Sequence, residues 1–513
     1  MKGINIRRLL AVLVLPFIWF ACSDKLVDNP VPNQPPDTGL FLTPDSTISK
    51  QPSKLEMHWW GDDPDGLIIG YYFTWDGVNW SFTTGNDSLF ALQIGASDTI
   101  YNFKVAACDN SGNGVYDAQI IRNSINFGPE PFVDLNGNAV YDGGELYYDI
   151  GAVDPTPAGL NVPIQNTAPV ISWNVLSTLP DTSFPVMTFA WNASDIDGDA
   201  TISKIIVCLN DTLNPADQVE MNGNIRLVTI RISDLNASVP LMDILIDGSE
   251  SNIFSAKLKG LKYNDNNKFY IQAQDISGAK SPFISLPSSS GNWYIKKPTG
   301  KFLVLDDYIT SDDAGTVYRN TLNNVNSGSL AGKYDIWDLN KNKLPFSSLS
   351  FPVTLKLFKY IFWYTDTNPS LDLAAGAVRK FNESGGKIFF SMQLPQTLDF
   401  TTLEAFLPID STTAPVSFLL PSTIVKADSG LTGYPELKTT TSIARVRSFY
   451  ADPFSATKIY YFQNGALPGS IGFINSERNI FFIGLPLNKC DGNAGNVSIL
   501  FKKVLFDEFG LIP

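Results

Sequence analysis

Two stretches of the chain carry the same alternation of apolar and polar positions. Residues 55–66 read LEMHWWGDDPDG and residues 187–198 read MTFAWNASDIDG. With Trp59 set on Trp191, both follow W-x-[GA]-x-D-x-D-G. Apolar residues precede each at alternate places, Leu55 and Met57 in one, Met187 and Phe189 in the other. A period of two that ends in Asp and Gly predicts a half-buried strand running into a tight turn. A second pair repeats downstream, FKVAACDNSG at 103–112 and FYIQAQDISG at 269–278, where apolar residues again alternate before Asp-x-Ser-Gly. Two blocks matching in the same order predict two homologous all-β units.

From about Gly300 the period changes. KFLVLD (301–306), YIFWYTD (360–366), KIFFSM (387–392) and NIFFIGLPL (479–487) are apolar runs, the pattern of strands buried on both faces, and KYDIWDL (333–339) gives a further strand. Between them, SDDAGTVYRNTLNNV predicts a helix capped by Ser311, with two Asp residues in its first turn. NPSLDLAAGAVRKFNESGG predicts a helix capped by Ser370 and closed by Gly385, with Leu371, Ala374, Ala375, Val378 and Phe381 on one face. A last amphipathic helix runs through Val497, Leu500, Phe501, Val504, Leu505 and Phe509. This alternation predicts a doubly wound α/β domain with a mainly parallel sheet.

The early Trp strand and the late Phe-x-Val/Ile-x-Ala-x-Asp-x-x-Gly strand resemble the fibronectin type III and related immunoglobulin-like sandwich families. That resemblance implies adhesion, spacing or ligand presentation. The pattern FWYTD, helix, ESGGKIFFS resembles the class I glutamine-amidotransferase-like fold. The family's Gly-x-Cys-x-Gly nucleophile elbow is missing, and residues 300–513 contain no histidine. The resemblance therefore implies a fold without the glutaminase chemistry. The expected fold class is two all-β sandwiches followed by a doubly wound α/β domain. The sandwiches occupy 38–128 and 166–298, a connector 129–165, and the α/β domain 299–513.

The N-terminus changes the picture of location. Lys2, Arg7 and Arg8 precede an apolar run, Leu9 to Phe20, that is too short to span a bilayer stably. The run closes on Ala21-Cys22-Ser23-Asp24, which resembles the bacterial lipobox, with Trp19 where that family prefers Leu. The resemblance implies a signal peptide at 1–21, lipidation of Cys22 and a Pro-rich tether at 22–37. Ser23-Asp24-Lys25 is similar to surface-export signals of Bacteroidetes-type lipoproteins, which implies a place on the outer membrane facing out. Loss of residues 1–21 takes the net charge from −14 to −17. Such an acidic chain is a poor partner for nucleic acid.

Cys108, Cys208 and Cys490 are widely spaced and predict buried free thiols. The chain has a single histidine, His58, so triads and multi-histidine metal centres are hard to build.

Two constellations carry candidate chemistry. DLNGNAVYDGGE, Asp134 to Glu145, places Asp134, Asn136, Asn138, the Val140 carbonyl, Asp142 and Glu145 at places 1, 3, 5, 7, 9 and 12 of an EF-type calcium loop. Ala139 stands where the sixth-place Gly belongs, Tyr141 replaces an aliphatic residue, and no helices flank the loop. This is similar to the helix-free calcium loops of secreted bacterial proteins. Its expected role is a structural calcium that stiffens the joint between the sandwiches, with Asp149 a further candidate ligand. The second constellation is Asp306, Asp307 and Asp366 at predicted strand ends, with Ser391 ending a third, where open α/β sheets bind ligands. The D-x-D-G aspartates (Asp63, Asp65, Asp195, Asp197) and Asp199 read as turn formers. The expected function is therefore a lipid-anchored envelope protein that binds or scaffolds a protein or glycan. The alternative is a surface hydrolase acting on a glycan or ester through the strand-end carboxylates.

Overall fold

The computed structural model describes residues 32–41, 54–92, 99–164, 166–288, 291–463 and 467–513. The expected signal peptide, Cys22 and most of the tether lie outside them. The chain divides into two units, at Asn166 and Thr167.

The first unit holds a β-sandwich. One sheet has three strands, Asp37–Phe41, Lys54–Asp62 and Asp87–Ala91. The other has four, in the order Ser81–Thr83, Ile68–Thr74, Thr99–Asp109, Ala158–Ile164. Alternation does what it predicts: Leu55, Met57 and Trp59 enter the core, while Glu56 and Trp60 face solvent. The Trp59 ring packs among Tyr71, Phe73, Phe90 and Phe103, and its indole N–H donates to the Gly85 carbonyl at 2.9 Å.

One boundary moves. The stretch 129–165, expected as a connector, ends in Ala158–Ile164, which pairs with the first seven residues of Thr99–Asp109, from Thr99↔Ile164 to Val105↔Ala158. The first sandwich thus runs to Ile164, and residues 129–157 are an insertion within it. Pro163 disguised this strand in the sequence. Its missing N–H is harmless because the strand lies at the sheet edge.

The second unit begins with the second sandwich. One sheet orders Val170–Trp173, Val186–Ser194, Leu227–Ile232 and Met242–Ile246. The facing sheet orders Val219–Asn222, Ile202–Leu209, Phe269–Asp275 and Ile284–Leu286. Trp191 is buried as Trp59 is, and Phe189 stacks on Phe269 at 4.0 Å between ring centroids.

The rest of this unit is built on a nine-stranded sheet. Five strands are parallel, in the order Tyr334–Asp338, Phe302–Asp307, Tyr360–Thr365, Lys387–Met392, Ile480–Ile483. Numbered along the chain this is 2-1-3-4-5, a doubly wound order. Helices Ala314–Gly328 and Asn496–Lys502 cover the face that carries Phe362, where Tyr318 and Phe501 touch its ring. Ser347–Leu355 covers the opposite face, where Phe351 touches Trp363. The sheet then continues antiparallel through Gly472–Asn475, Ala456–Phe462, Ile424–Ala427 and Leu437–Lys438. The expectation of a mainly parallel sheet is met only in its first half. Helix starts also shift: Asp313, not Ser311, occupies the cap of Ala314–Gly328. The Leu371–Glu383 helix ends as expected, with the Gly385 and Gly386 N–H groups donating to the Asn382 and Phe381 carbonyls.

Sandwich and sheet in this unit share a packed seam. Phe184 leaves the sandwich to join the α/β core against Trp337 and Phe358. Val186, Leu245 and Val353 form a small buried cluster beside it. Asp335, fully buried, accepts from the Thr299 N–H at 2.7 Å and pairs with Lys296 at 2.7 Å. Phe184→Ala should cost about 3–5 kcal/mol, the usual range for a buried Phe. Denaturant unfolding of the full chain, followed by probes in both halves of the second unit, should show both destabilised together. Loss confined to the sandwich would mean that the seam does not couple them.

Candidate functional site

The loop 134–145 closes on itself without helices. Its stems pair as a short ladder: Val133 N–H donates to the Leu146 carbonyl at 2.8 Å and Tyr148 N–H to the Pro131 carbonyl at 2.9 Å. Inside the loop Asp134 is the hub. One carboxylate oxygen accepts from the Gly137 N–H at 2.6 Å and the other from the Ala139 N–H at 2.7 Å, with Asn136 and Asn138 N–H also in reach. The Asn136 and Asn138 side-chain amides both donate to one oxygen of Asp142, at 2.6 and 2.9 Å. The side chains at places 3, 5 and 9 are thereby linked, while place 1 holds the backbone between them. Glu145, buried, accepts from Leu135 N–H and Asp142 N–H, both at 2.9 Å.

Ala139 adopts φ +57°, the left-handed conformation that the sixth place of such a loop requires, at a cost of about 1 kcal/mol without Gly. The Ala139 N–H and its neighbours lower the Asp134 pKa. The sign follows: the carboxylate stabilises the loop above the ordinary Asp range and loses that effect as pH falls through its lowered pKa.

Tyr141 explains its own departure from the template. It stacks on Tyr116 at 3.8 Å, with Phe132 and Tyr147 edge-on to the pair. This aromatic clamp docks the loop on the first unit, a contact that sequence spacing did not reveal. Two more carboxylates tie the insertion down. Glu130, fully buried, accepts from Asp117 N–H and Ile150 N–H, both at 2.8 Å. Asp149 accepts from Asn113 N–H at 3.0 Å and Gly114 N–H at 2.8 Å. It approaches Gly112 so closely that any Cβ there would collide with it. Asp149, the further candidate ligand, anchors the turn at Asn113 and Gly114.

The D-x-D-G aspartates also serve their own turns. Asp63 accepts from Asp65 N–H at 3.2 Å, Asp195 from Asp197 N–H at 2.9 Å, and Asp199 from Asp195 N–H at 3.0 Å.

The strand-end carboxylates do not converge. Asp306 and Asp307 are consecutive on one strand, so they point to opposite faces of the sheet. Asp306 pairs with the Tyr364 hydroxyl, and burial raises its pKa. Asp307, raised by burial as well, accepts from Ser370 N–H at 2.7 Å, Ser370 Oγ at 2.8 Å and Trp363 Nε1 at 3.2 Å. It fixes the start of the Leu371–Glu383 helix, which is why the Ser370 hydroxyl makes no cap bond of its own. Asp366 accepts from Ile309 N–H, Thr310 N–H and Thr310 Oγ1 at 3.0, 2.8 and 2.7 Å, and from Asn368 N–H at 3.0 Å. Burial raises its pKa, but these donors outweigh burial and lower it overall. Of the three aspartates, only Asp307 lines the adjoining cleft of about 680 Å³, together with Lys343, Asn368, Asp372 and Asp399.

Ser391 is buried between the Leu485 carbonyl, the Leu487 N–H and the Tyr318 hydroxyl. Cys108, Cys208 and Cys490 are buried and free, and burial pushes the Cys208 and Cys490 thiols up to about 12. A thiol at that value is inert at neutral pH.

No family model matches the sequence, and no curated protein does. Among solved structures, the chain is similar to the fibronectin(III)-like modules of Clostridium thermocellum CbhA. They are 12% identical at a TM-score of 0.15, over 51% of this chain and 94% of that one. It is also similar to a two-domain fibronectin type III segment of chicken tenascin. That segment is 11% identical at a TM-score of 0.19, over 49% and 97%. The sandwich architecture is read from the strand order and does not lean on these scores.

Asp366→Ala should cost about 1.5–3 kcal/mol at neutral pH, the range for hydrogen bonds to a charged group. The deficit should shrink as pH falls below about 3.9, where the unfolded chain takes the proton first, and should be lost as pH falls through the lowered pKa of folded Asp366. Denaturant melts at several pH values check this, and a deficit independent of pH would contradict it.

Proposed function

We propose that the chain is a lipid-anchored protein of the cell envelope that binds or scaffolds at the outer surface, with calcium held in the 134–145 loop. The observation that carries the binding role is the tandem of β-sandwiches, an architecture suited to spacing and presentation. Among the described residues no helix is long and apolar enough to cross a membrane. Attachment in this reading rests on Cys22. A protein or glycan ligand is the expected partner.

Calcium is supported by the donor set. Asp134 gathers the backbone of the loop, the Asn136 and Asn138 side chains reach Asp142, Glu145 closes the loop, and the Val140 carbonyl lies between them in sequence. Hard oxygens at this spacing suit calcium. Its role differs from the expected one: the loop belongs to an insertion of the first sandwich, so the ion would stiffen that insertion. The alternative of a surface hydrolase is less well supported, because Asp306, Asp307 and Asp366 each bond a different part of their own fold.

Calcium should raise the melting temperature of the full chain and slow proteolysis near residue 140, and Asp134→Asn with Glu145→Gln should abolish both effects. Identical behaviour in calcium and in chelator would overturn the calcium site. In detergent phase partition of expressing cells, the wild type should enter the detergent phase and Cys22→Ser should not. Equal partition would overturn the anchor.

A further inference from the structure

The chain's only histidine has two carboxylates beside it. His58 lies on the outward face of Lys54–Asp62, directly opposite Asp87 of the neighbouring antiparallel strand. Glu56 stands two residues before His58, on the same outward face. One ligand atom from each of the three lies within 4.8 Å of the other two. Ligands around a tetrahedral ion with bonds of about 2.0–2.1 Å sit roughly 3.3 Å apart, so small side-chain rotations would close the set. The sequence could not announce this cluster by spacing, because Asp87 arrives from another strand.

We infer that Glu56, His58 and Asp87 form a second metal site, for a divalent transition ion of zinc type. The donors decide the class. An imidazole nitrogen with two carboxylate oxygens suits zinc and its neighbours, whereas calcium takes oxygen alone. The scaffold supports it: His58 and Asp87 are a cross-strand pair, whose Cβ atoms sit about 5 Å apart. The strands are held from below by Met57 and Trp59 in the core, so the donors are placed before any ion arrives. Glu56 and Asp87 are exposed and His58 half-buried, which leaves an open approach and a free coordination position. Phe41 faces His58 across the next strand, and Leu89 faces Glu56, both more than half exposed. The ion would thus sit on an apolar-rimmed patch and lend it a charge.

The test uses the full chain purified without a histidine tag, so that His58 is the only imidazole present. Zinc is titrated against a chromophoric chelator in saturating calcium, which keeps the 134–145 loop out of the competition. Diethyl pyrocarbonate then reports whether zinc shields the single histidine. The expected result is one zinc per chain, protection of His58, and a loss of affinity of roughly tenfold or more in both His58→Gln and Asp87→Asn. Zinc bound equally well by these variants, or a His58 that zinc fails to protect, would overturn the site. Melting of the variants without metal checks their folding. Should either variant be unfolded, protection in the wild type decides alone.

Discussion

The interaction on which this structure most depends is a carboxylate receiving backbone N–H groups of its own chain. A buried amide without a partner costs about 1–3 kcal/mol, and loops offer no ladder to supply one. This acidic chain meets that need with side chains. Asp109 accepts from Ser111 and Ala152, Glu130 from Asp117 and Ile150, Asp149 from Asn113 and Gly114. In the second unit Asp275 accepts from Ser277 and Ala279, and Asp307 and Asp366 fix the loops after the parallel strands. Long connections stay ordered because their acids are tied to amides. The same bonds explain why acids at a sheet edge that favours ligand binding are poor candidates for proton transfer.

Much of this was legible in the sequence. Trp59 and Trp191, with the paired Asp-x-Ser-Gly turns, predicted two like sandwiches, because a period of two directly states which side chains enter a core. Four of the five parallel strands announced themselves as apolar runs, while Tyr334–Asp338 carries Asp335 inside it. Asp306 and Asp307 were grouped by their position at a strand end, although consecutive strand residues face opposite ways. What stayed hidden depended on distant partners. Ala158–Ile164 is a strand only because Thr99–Asp109 lies beside it, and its Gly and Pro argued for a loop. The antiparallel strands between 409 and 475 are mostly short; Ile424–Ala427, Leu437–Lys438, Ala456–Phe462 and Gly472–Asn475 are placed by the sheet they extend, and the others pair among themselves in two-stranded sheets. Asp87 reaches His58 only through strand pairing.

Three kinds of acid can therefore be told apart. Some serve amides alone, as Glu130 and Asp149 do. Those of the 134–145 loop serve amides of both kinds, Asp134 and Glu145 the backbone of the loop and Asp142 the Asn136 and Asn138 side chains. Glu56 and Asp87 stand on the outward face of a sheet beside an imidazole. A protein built this way should lose stability in acid, since carboxylates held by N–H donors, such as Asp134 and Asp366, lose that hold as they take up protons.

Glu130 offers the most direct test of that view, because it is fully buried and joins three segments through two oxygens. Glu130→Gln keeps the shape but turns one acceptor into a donor facing an N–H. Amide hydrogen exchange should then quicken across residues 113–150, while the strands Ile68–Thr74 and Thr99–Asp109 keep their protection. Unchanged exchange at 113–150 would contradict the claim that carboxylate-to-amide bonds hold these loops.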